Sequence, residues 1–225
     1  MLLPHLTRNV WLLCLAQIFA FTGTNVTIFL GGIIGGLLAP APILSTLPVA
    51  LMIVGVTCGT IPASIFASIY GRRLGFIGAA CFASGMCLIG AWSIATNSFG
   101  VYCLVCFGMG ISVAFVHQYR FAAAESVAAK YAPQAISAIL LAGIAGAFLG
   151  PNIANLTKDL WPASTFVGSY LALSIMVLMP ALILFWLEDY QLAAITRSSQ
   201  GRSLTYLARQ PNFILAIMVL GLAMQ

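Results

Sequence analysis

Apolar residues in this chain come in long runs of about 20, separated by short polar breaks, a spacing that matches the ~30 Å hydrocarbon layer of a bilayer. Inside that layer no water is available to the backbone N–H and C=O groups, so each run has to close its hydrogen bonds internally as a helix. Composition agrees: 62% of the 225 residues are apolar and 6% charged, with a mean hydropathy of +1.07. Soluble domains carry about 25% charged residues. A water-soluble globule is excluded, and the expected fold is an all-α polytopic membrane protein.

The breaks predict six helices over residues 10–38, 47–70, 74–95, 99–116, 134–156 and 166–187. Gly31-Gly32 and Gly35-Gly36 interrupt the first, and Pro40 and Pro42, which lack a backbone N–H, stop it. Good helix formers after His117 allow the fourth to run on toward Tyr131 and Pro133. Gly71-Arg72-Arg73 and Thr96-Asn97-Ser98 read as turns. The expected organisation is a bundle over 1–187, a cytoplasmic connector over 188–212 and an apolar segment over 213–225. That last segment reaches about 20 Å as a helix, so the chain reads as cut inside a seventh helix, with a re-entrant segment as the alternative. Arg8 precedes the first run, which lacks the short core and cleavage pattern of a signal peptide and is expected to stay as a span.

Basic residues set the topology. With the N-terminus cytoplasmic, Arg8, Arg72, Arg73, Arg120, Lys130, Arg197, Arg202 and Arg209 fall inside and only Lys158 outside, a positive-inside pattern. The expected location is the plasma membrane, in a bacterium the inner membrane. The net charge of +5 is spread rather than clustered, so the bilayer is an expected partner and nucleic acid is not. Cys14, Cys58, Cys81, Cys87, Cys103 and Cys106 all sit in apolar runs, where thiols pack as small hydrophobes. Cys103 and Cys106 spell C-x-x-C with no second pair or histidine nearby, so no metal site and no cofactor are expected.

Ionisable groups are costly in hydrocarbon, about 2.5–3.5 kcal/mol on insertion scales, and those present are candidate functional residues. The fourth helix carries His117, Arg120 and Glu125. His117 and Arg120, three apart, share a face. Glu125 lies about 140° round the helix from Arg120, which leaves it freer to pair with Arg72, Arg73 or another helix. Arg120 either snorkels to the headgroups or points into a cavity. On the first helix, Gln17, Thr24 and Asn25 form a polar face able to serve as interhelical contacts or as solute ligands. Thr57, Thr60, Ser64, Ser68 and Gly71 on the second helix, with Gly55 and Gly59 adjacent, and Gly143, Gly146 and Gly150 on the fifth form small-residue stripes that admit close helix approach. Pro151 removes a hydrogen bond and is able to bend the fifth helix. Asn152, Asn155 and Asp159 lie near its far end, Asp159 beside Lys158 as an interfacial pair.

Three of these segments match motifs. Residues 64–73 align with the loop form G-x-L-x-D-R-x-G-R-R: Gly71, Arg72 and Arg73 match, while Ser68 stands at the acidic position. Arg120 matches a fourth-helix arginine. Gly146, Gly150 and Pro151 match part of G-x8-G-x3-G-P-x2-G-G. With six spans and a polar connector, the chain resembles the N-terminal half of a major facilitator superfamily transporter, whose plan is two six-helix halves, each of two three-helix repeats. The resemblance implies an inner gate at Ser68, Gly71, Arg72 and Arg73, and a hinge at Gly146, Gly150 and Pro151. It also implies proton coupling through Arg120 with Glu125, and leans toward antiport and export.

The leading expectation is thus a secondary transporter of a small organic solute, working by alternating access, with Gln17, Asn25 and His117 as solute ligands and the proton as coupling ion. A missing C-terminal half or a second copy would complete the pathway. The alternatives are an importer or facilitator of the same family and a membrane protein without transport activity. No H-E-x-x-H or G-x-S-x-G occurs, so an intramembrane enzyme is not expected.

Overall fold

The computed structural model describes residues 7–158 and 165–187. These belong to one compact unit, Met1–Asp189. The connector, the 213–225 segment and Asp159 lie outside the described residues.

The described chain is helical, without strands: α1 (Arg8–Leu38), α2 (Leu47–Tyr70), α3 (Arg72–Ala95), α4 (Phe99–Val116), α5 (Tyr119–Glu125), α6 (Ala132–Thr157) and α7 (Val167–Leu184). Single 3-10 turns precede α2 and α6, at Pro42–Leu44 and Ala129–Tyr131. Among the described residues, six segments are long and apolar enough to cross a bilayer, with α4 and α5 together making the fourth. Large apolar side chains face outward along them, including Ile43 at 87%, Leu156 at 80% and Phe148 at 75% exposure, a surface suited to lipid tails and not to water. The protein is a multi-pass helical membrane protein.

Three local features differ from the sequence expectation. First, α1 runs unbroken through Gly31, Gly32, Gly35 and Gly36. Glycine costs a helix about 1 kcal/mol relative to alanine, and packing outweighs that here. A Cβ at Gly35 would strike the Ser45 carbonyl oxygen and one at Gly31 would press on Val49, whereas Gly32 and Gly36 face open space. Second, α3 begins at Arg72, so the turn after α2 is Gly71 alone. Its φ of 85° is reached easily only without a side chain. Third, the fourth span does not continue smoothly past Val116. Gln118 N–H bonds the Phe115 carbonyl at 3.0 Å, a tighter i−3 turn, before α5 resumes at Tyr119.

The packing has an internal symmetry. The most extensive contacts are α2 on α4, α3 on α7 and α1 on α6, followed by α3 on α4 and α1 on α7. Exchanging the first span with the fourth, the second with the fifth and the third with the sixth leaves this pattern unchanged. Since each half of the pattern has three crossings, an odd number, the second triplet enters from the opposite side: an inverted repeat.

Both equivalent seams are built on glycine. On one, Gly55 and Gly59 of α2 lie against backbone atoms of Phe107, Gly110 and Ile111 of α4. On the other, Gly146 and Gly150 of α6 lie against Ile18, Thr22 and Asn25 of α1. Without a hydrophobic drive between helices in lipid, close backbone approach supplies the van der Waals contact that holds a bundle together. The stripe of Thr57, Thr60, Ser64 and Ser68 is not the packing face of α2 among the described residues. These four side chains are exposed, and each hydroxyl bonds a carbonyl of its own helix at 2.7–3.1 Å.

Candidate functional site

The candidate residues fall in three places. The first is the end of the bundle where α2 passes into α3. Because α3 starts directly after Gly71, the Arg72 and Arg73 side chains leave its first turn and reach different neighbours. Arg72 Nη2 lies 2.6 Å from Glu125 Oε1 at the end of α5, and Nη1 lies 3.5 Å from the Gln118 carbonyl oxygen at its start. One guanidinium thus spans both ends of the short helix. Arg73 donates to the Phe185 carbonyl oxygen just past α7 and sits 4.9 Å from the centre of the Phe185 ring. Ser68, at the position where an acid would stand, donates to Ile65 O of its own helix at 2.7 Å and joins none of these contacts.

Glu125 is therefore taken by Arg72. Its side chain is 57% exposed, so water screens the pair, and Glu125→Gln should cost only about 0.2–1 kcal/mol. The check is the melting temperature in nanodiscs at low and high salt, with the difference between native and variant shrinking as salt rises.

The second place is the face shared by α1 and the junction of α4 and α5. His117 is exposed in that junction, and its ring meets Phe21 of α1 edge-on, with centroids 6.5 Å apart and planes at 83°. Phe21 lies midway between Gln17 and Asn25 in steps of four, which puts all three on one stripe of α1. Asn25 Nδ2 donates to Phe21 O at 2.8 Å, leaving its amide oxygen available. Gln17 is deeper, 4% exposed, beside the position a Cβ on Gly143 would take. Its Oε1 has no hydrogen-bond partner among the described residues, an uncommon state for a buried acceptor. Arg120 is exposed one turn beyond His117, with its guanidinium carbon 5.2 Å from the centre of the neighbouring Phe121 ring and no acidic partner among the described residues. The arrangement offers a ring edge, amide donors and acceptors, and a cation with no acidic partner among the described residues. Phe21 was not singled out in the sequence, although its spacing of four from both amides was a usable signal.

The third place is the α1–α6 seam. Gly146 and Gly150 face α1 as the sequence suggested, and Thr22 Oγ1 reaches across to Gly146 O at 3.3 Å. The helix passes through Pro151, whose missing N–H leaves the Ala147 carbonyl without its usual partner.

Fold and site together define a polytopic helical membrane protein whose first and fourth spans present polar and aromatic groups on a common face. Among curated proteins, the riboflavin transporter RfnT of Brucella anthropi is 32% identical to this chain over 212 residues, which is 93% of the chain and 53% of that protein. The chain thus spans about half the length of the curated relative it matches. No family model matches the sequence, and no solved structure matches it.

Proposed function

We propose that this chain forms one half of a secondary transporter of a small, flat heteroaromatic solute of the riboflavin kind. In this reading it is a major facilitator superfamily protein that works by rocking its two halves about a midplane site. The observation that carries the reading is the likeness to a riboflavin transporter along nearly all of the chain. The inverted repeat of α1–α3 and α4–α7 and the glycine seams add support, since alternating access needs helices that move as blocks against close, smooth contacts. The other wall of the pathway comes from further chain or from a second copy. The N-terminus faces the cytoplasm of a bacterial inner membrane, as the distribution of basic residues favours.

In this reading Phe21 and His117 hold the edge of the ring system while Asn25 and Gln17 answer its polar rim. Arg72, Arg73, Gly71 and Ser68 form the inner gate, and Gly146, Gly150 and Pro151 the moving seam. Arg120, lacking an acidic partner among the described residues, couples solute movement to the proton gradient, with antiport favoured by the resemblance of the Gly146–Pro151 segment. No bond of the solute is made or broken, so no catalytic residue is required.

The test is uptake of radiolabelled riboflavin by riboflavin-auxotrophic bacteria carrying the full reading frame that contains this sequence. Uptake above vector cells, and growth at micromolar riboflavin, are expected. Membrane-inserted protein with no uptake and no efflux of riboflavin overturns the substrate assignment. Within an active protein, Phe21→Ala should raise the KM about 2–10-fold with little change in maximal rate, as an aromatic contact is worth roughly 0.5–1.5 kcal/mol. Phe21→Tyr, which keeps the ring, should stay near native.

A further inference from the structure

The two helices of the α1–α6 seam diverge at one end. They run parallel, with Gly143 beside Gln17 and Phe21, Gly146 beside Ile18 and Thr22, and Gly150 beside Asn25 and Val26. Before Gly143 α6 has no glycine, and α1 has none before Gly23, so side chains hold the backbones apart there. The result is an open groove of about 750 Å³, walled by Trp11, Leu15 and Ile18 of α1 and Pro133, Ala138 and Leu141 of α6. From Trp11 to Ile18 the helix rises about 10 Å, less than the ~15 Å of one leaflet, and α1 begins only one turn earlier, so the groove lies within a single leaflet.

The lining decides the class of occupant. The Ser137 hydroxyl is spent on Pro133 O at 2.9 Å, which leaves Gln134, in the first turn of α6, as the one amide at the mouth. A solute with a polar rim would give up its hydrogen bonds to water here without replacement, whereas a hydrocarbon chain has none to give up. The end of the groove has the opposite character. Arg8, Trp11 and Leu15 stand at i, i+3 and i+7, so the exposed Arg8 lies one turn beyond the wall on the same face of α1. Lys130, also exposed, lies in the 3-10 turn one turn before Pro133, with its ammonium 4.6 Å from the centre of the Tyr131 ring. The Thr7 hydroxyl donates to that of Ser126 at 3.4 Å, which ties the entry to α1 to the segment that leads to Lys130.

Neither α1 nor α6 has an acid in its first turn or a side-chain cap, so the positive ends of two parallel helices add to the two cations. Trp11 and Tyr131 are of the aromatic type that settles at headgroup level. An apolar trough within one leaflet that ends in positive charge at headgroup depth is complementary to one kind of molecule. We propose that the groove binds an anionic phospholipid, with an acyl chain along the Trp11–Ile18 wall and the phosphate between Arg8 and Lys130. Basic ends of clefts between spans recognise such headgroups, and the long stems of both cations let the charges rise to meet them. The bound chain fills the gap that the seam leaves open, so it sets how far α1 and α6 stand apart at this end.

Tryptophan fluorescence reads the site, because bromine on an acyl chain quenches an indole it touches. The sample is the full reading frame in phosphatidylcholine nanodiscs carrying a minor fraction of brominated lipid, and each tryptophan's share is the difference between the native protein and its Trp→Phe variant. Brominated phosphatidylglycerol is expected to quench Trp11 roughly threefold more than brominated phosphatidylcholine at the same fraction. Trp186, similarly exposed at the same end of the bundle but outside the groove, should show little preference between the two. Arg8→Gln together with Lys130→Gln should bring Trp11 to the phosphatidylcholine level, with unchanged quenching of Trp92 at the far end of α3 certifying the fold. Equal quenching of Trp11 by both lipids means ordinary boundary lipid and overturns the proposal. Quenching by neither means that further chain or a second copy covers the groove, and overturns it as well. A preference equally strong at Trp186, or one that survives the double substitution, also overturns it, because the charge effect is then diffuse.

Discussion

Leucine in place of Gly110 should leave almost no folded protein in the membrane. A Cβ at this position would fall on the Met52 carbonyl oxygen and lie 2.9 Å from the Val56 nitrogen and 3.0 Å from the Gly55 Cα. All three are backbone atoms of α2, so no rotamer change relieves the clash and the helices have to part. Overpacking against side chains costs about 1–3 kcal/mol, and this contact is against backbone. Parting α2 from α4 also forfeits contact at Gly55 and Gly59, a large share of a total stability of about 5–15 kcal/mol. Gly100, on the same helix, has nothing within 4 Å of its would-be Cβ. Fluorescence-detected gel filtration of fusion proteins gives the comparison: Gly110→Leu elutes as aggregate, while Gly100→Leu retains a monodisperse peak within about twofold of native. A monodisperse Gly110→Leu protein would show that α2 and α4 do not rely on that contact.

The second large effect concerns transport. Arg120→Ala is expected to abolish gradient-driven accumulation of solute, a fall of more than tenfold, while the protein still inserts and still exchanges solute down its gradient. Two observations underlie this expectation: Arg120 is exposed beside the Phe21–His117 face, and it has no acidic partner among the described residues whose loss would unfold the bundle. A cation with no acidic partner among the described residues, at the edge of a membrane span and beside the face proposed to hold solute, is costly to maintain, which argues for use. Proteoliposomes with and without an imposed proton gradient separate the two activities. Undiminished accumulation in the variant assigns Arg120 to the headgroup interface.

Much of the architecture was legible because lipid leaves the backbone so few options. The six spans follow from run length alone, and the Asn97 turn from its composition; Asn97 adopts φ 53° there, a conformation asparagine tolerates. The link between Glu125 and the arginines after α2 was legible from helix angle, since the angle to Arg120 excluded the nearer partner. Breaks were harder to read. The glycines of α1 looked like interruptions because propensity is a local quantity, whereas their tolerance comes from Ser45 and Val49, which are distant neighbours in the turn and in α2. The turn at His117 and Gln118 was invisible for the converse reason: good helix formers surround it. On α2 the close approach at Gly55 and Gly59 was legible, but the Thr57–Ser68 stripe beside it was not on that side, because small polar residues and glycines alternate around the helix and only its neighbours decide which side is inward. Phe21 escaped notice since an aromatic residue in an apolar run reads as packing, and its one signal, the spacing of four from Gln17 and Asn25, gains meaning only with the imidazole beside it.

The single-residue junction at Gly71 leaves the chain no slack between two helices of 24 residues each. An epitope or protease site inserted there would lengthen a coupling that has no spare length, and Arg72 would be carried away from Glu125 with the start of α3. The 39–46 connection between α1 and α2, by contrast, already contains a turn and several exposed residues and has room for added chain. Topology mapping by inserted tags would therefore read one side of the membrane faithfully at 39–46 and report an artefact of its own making at 71.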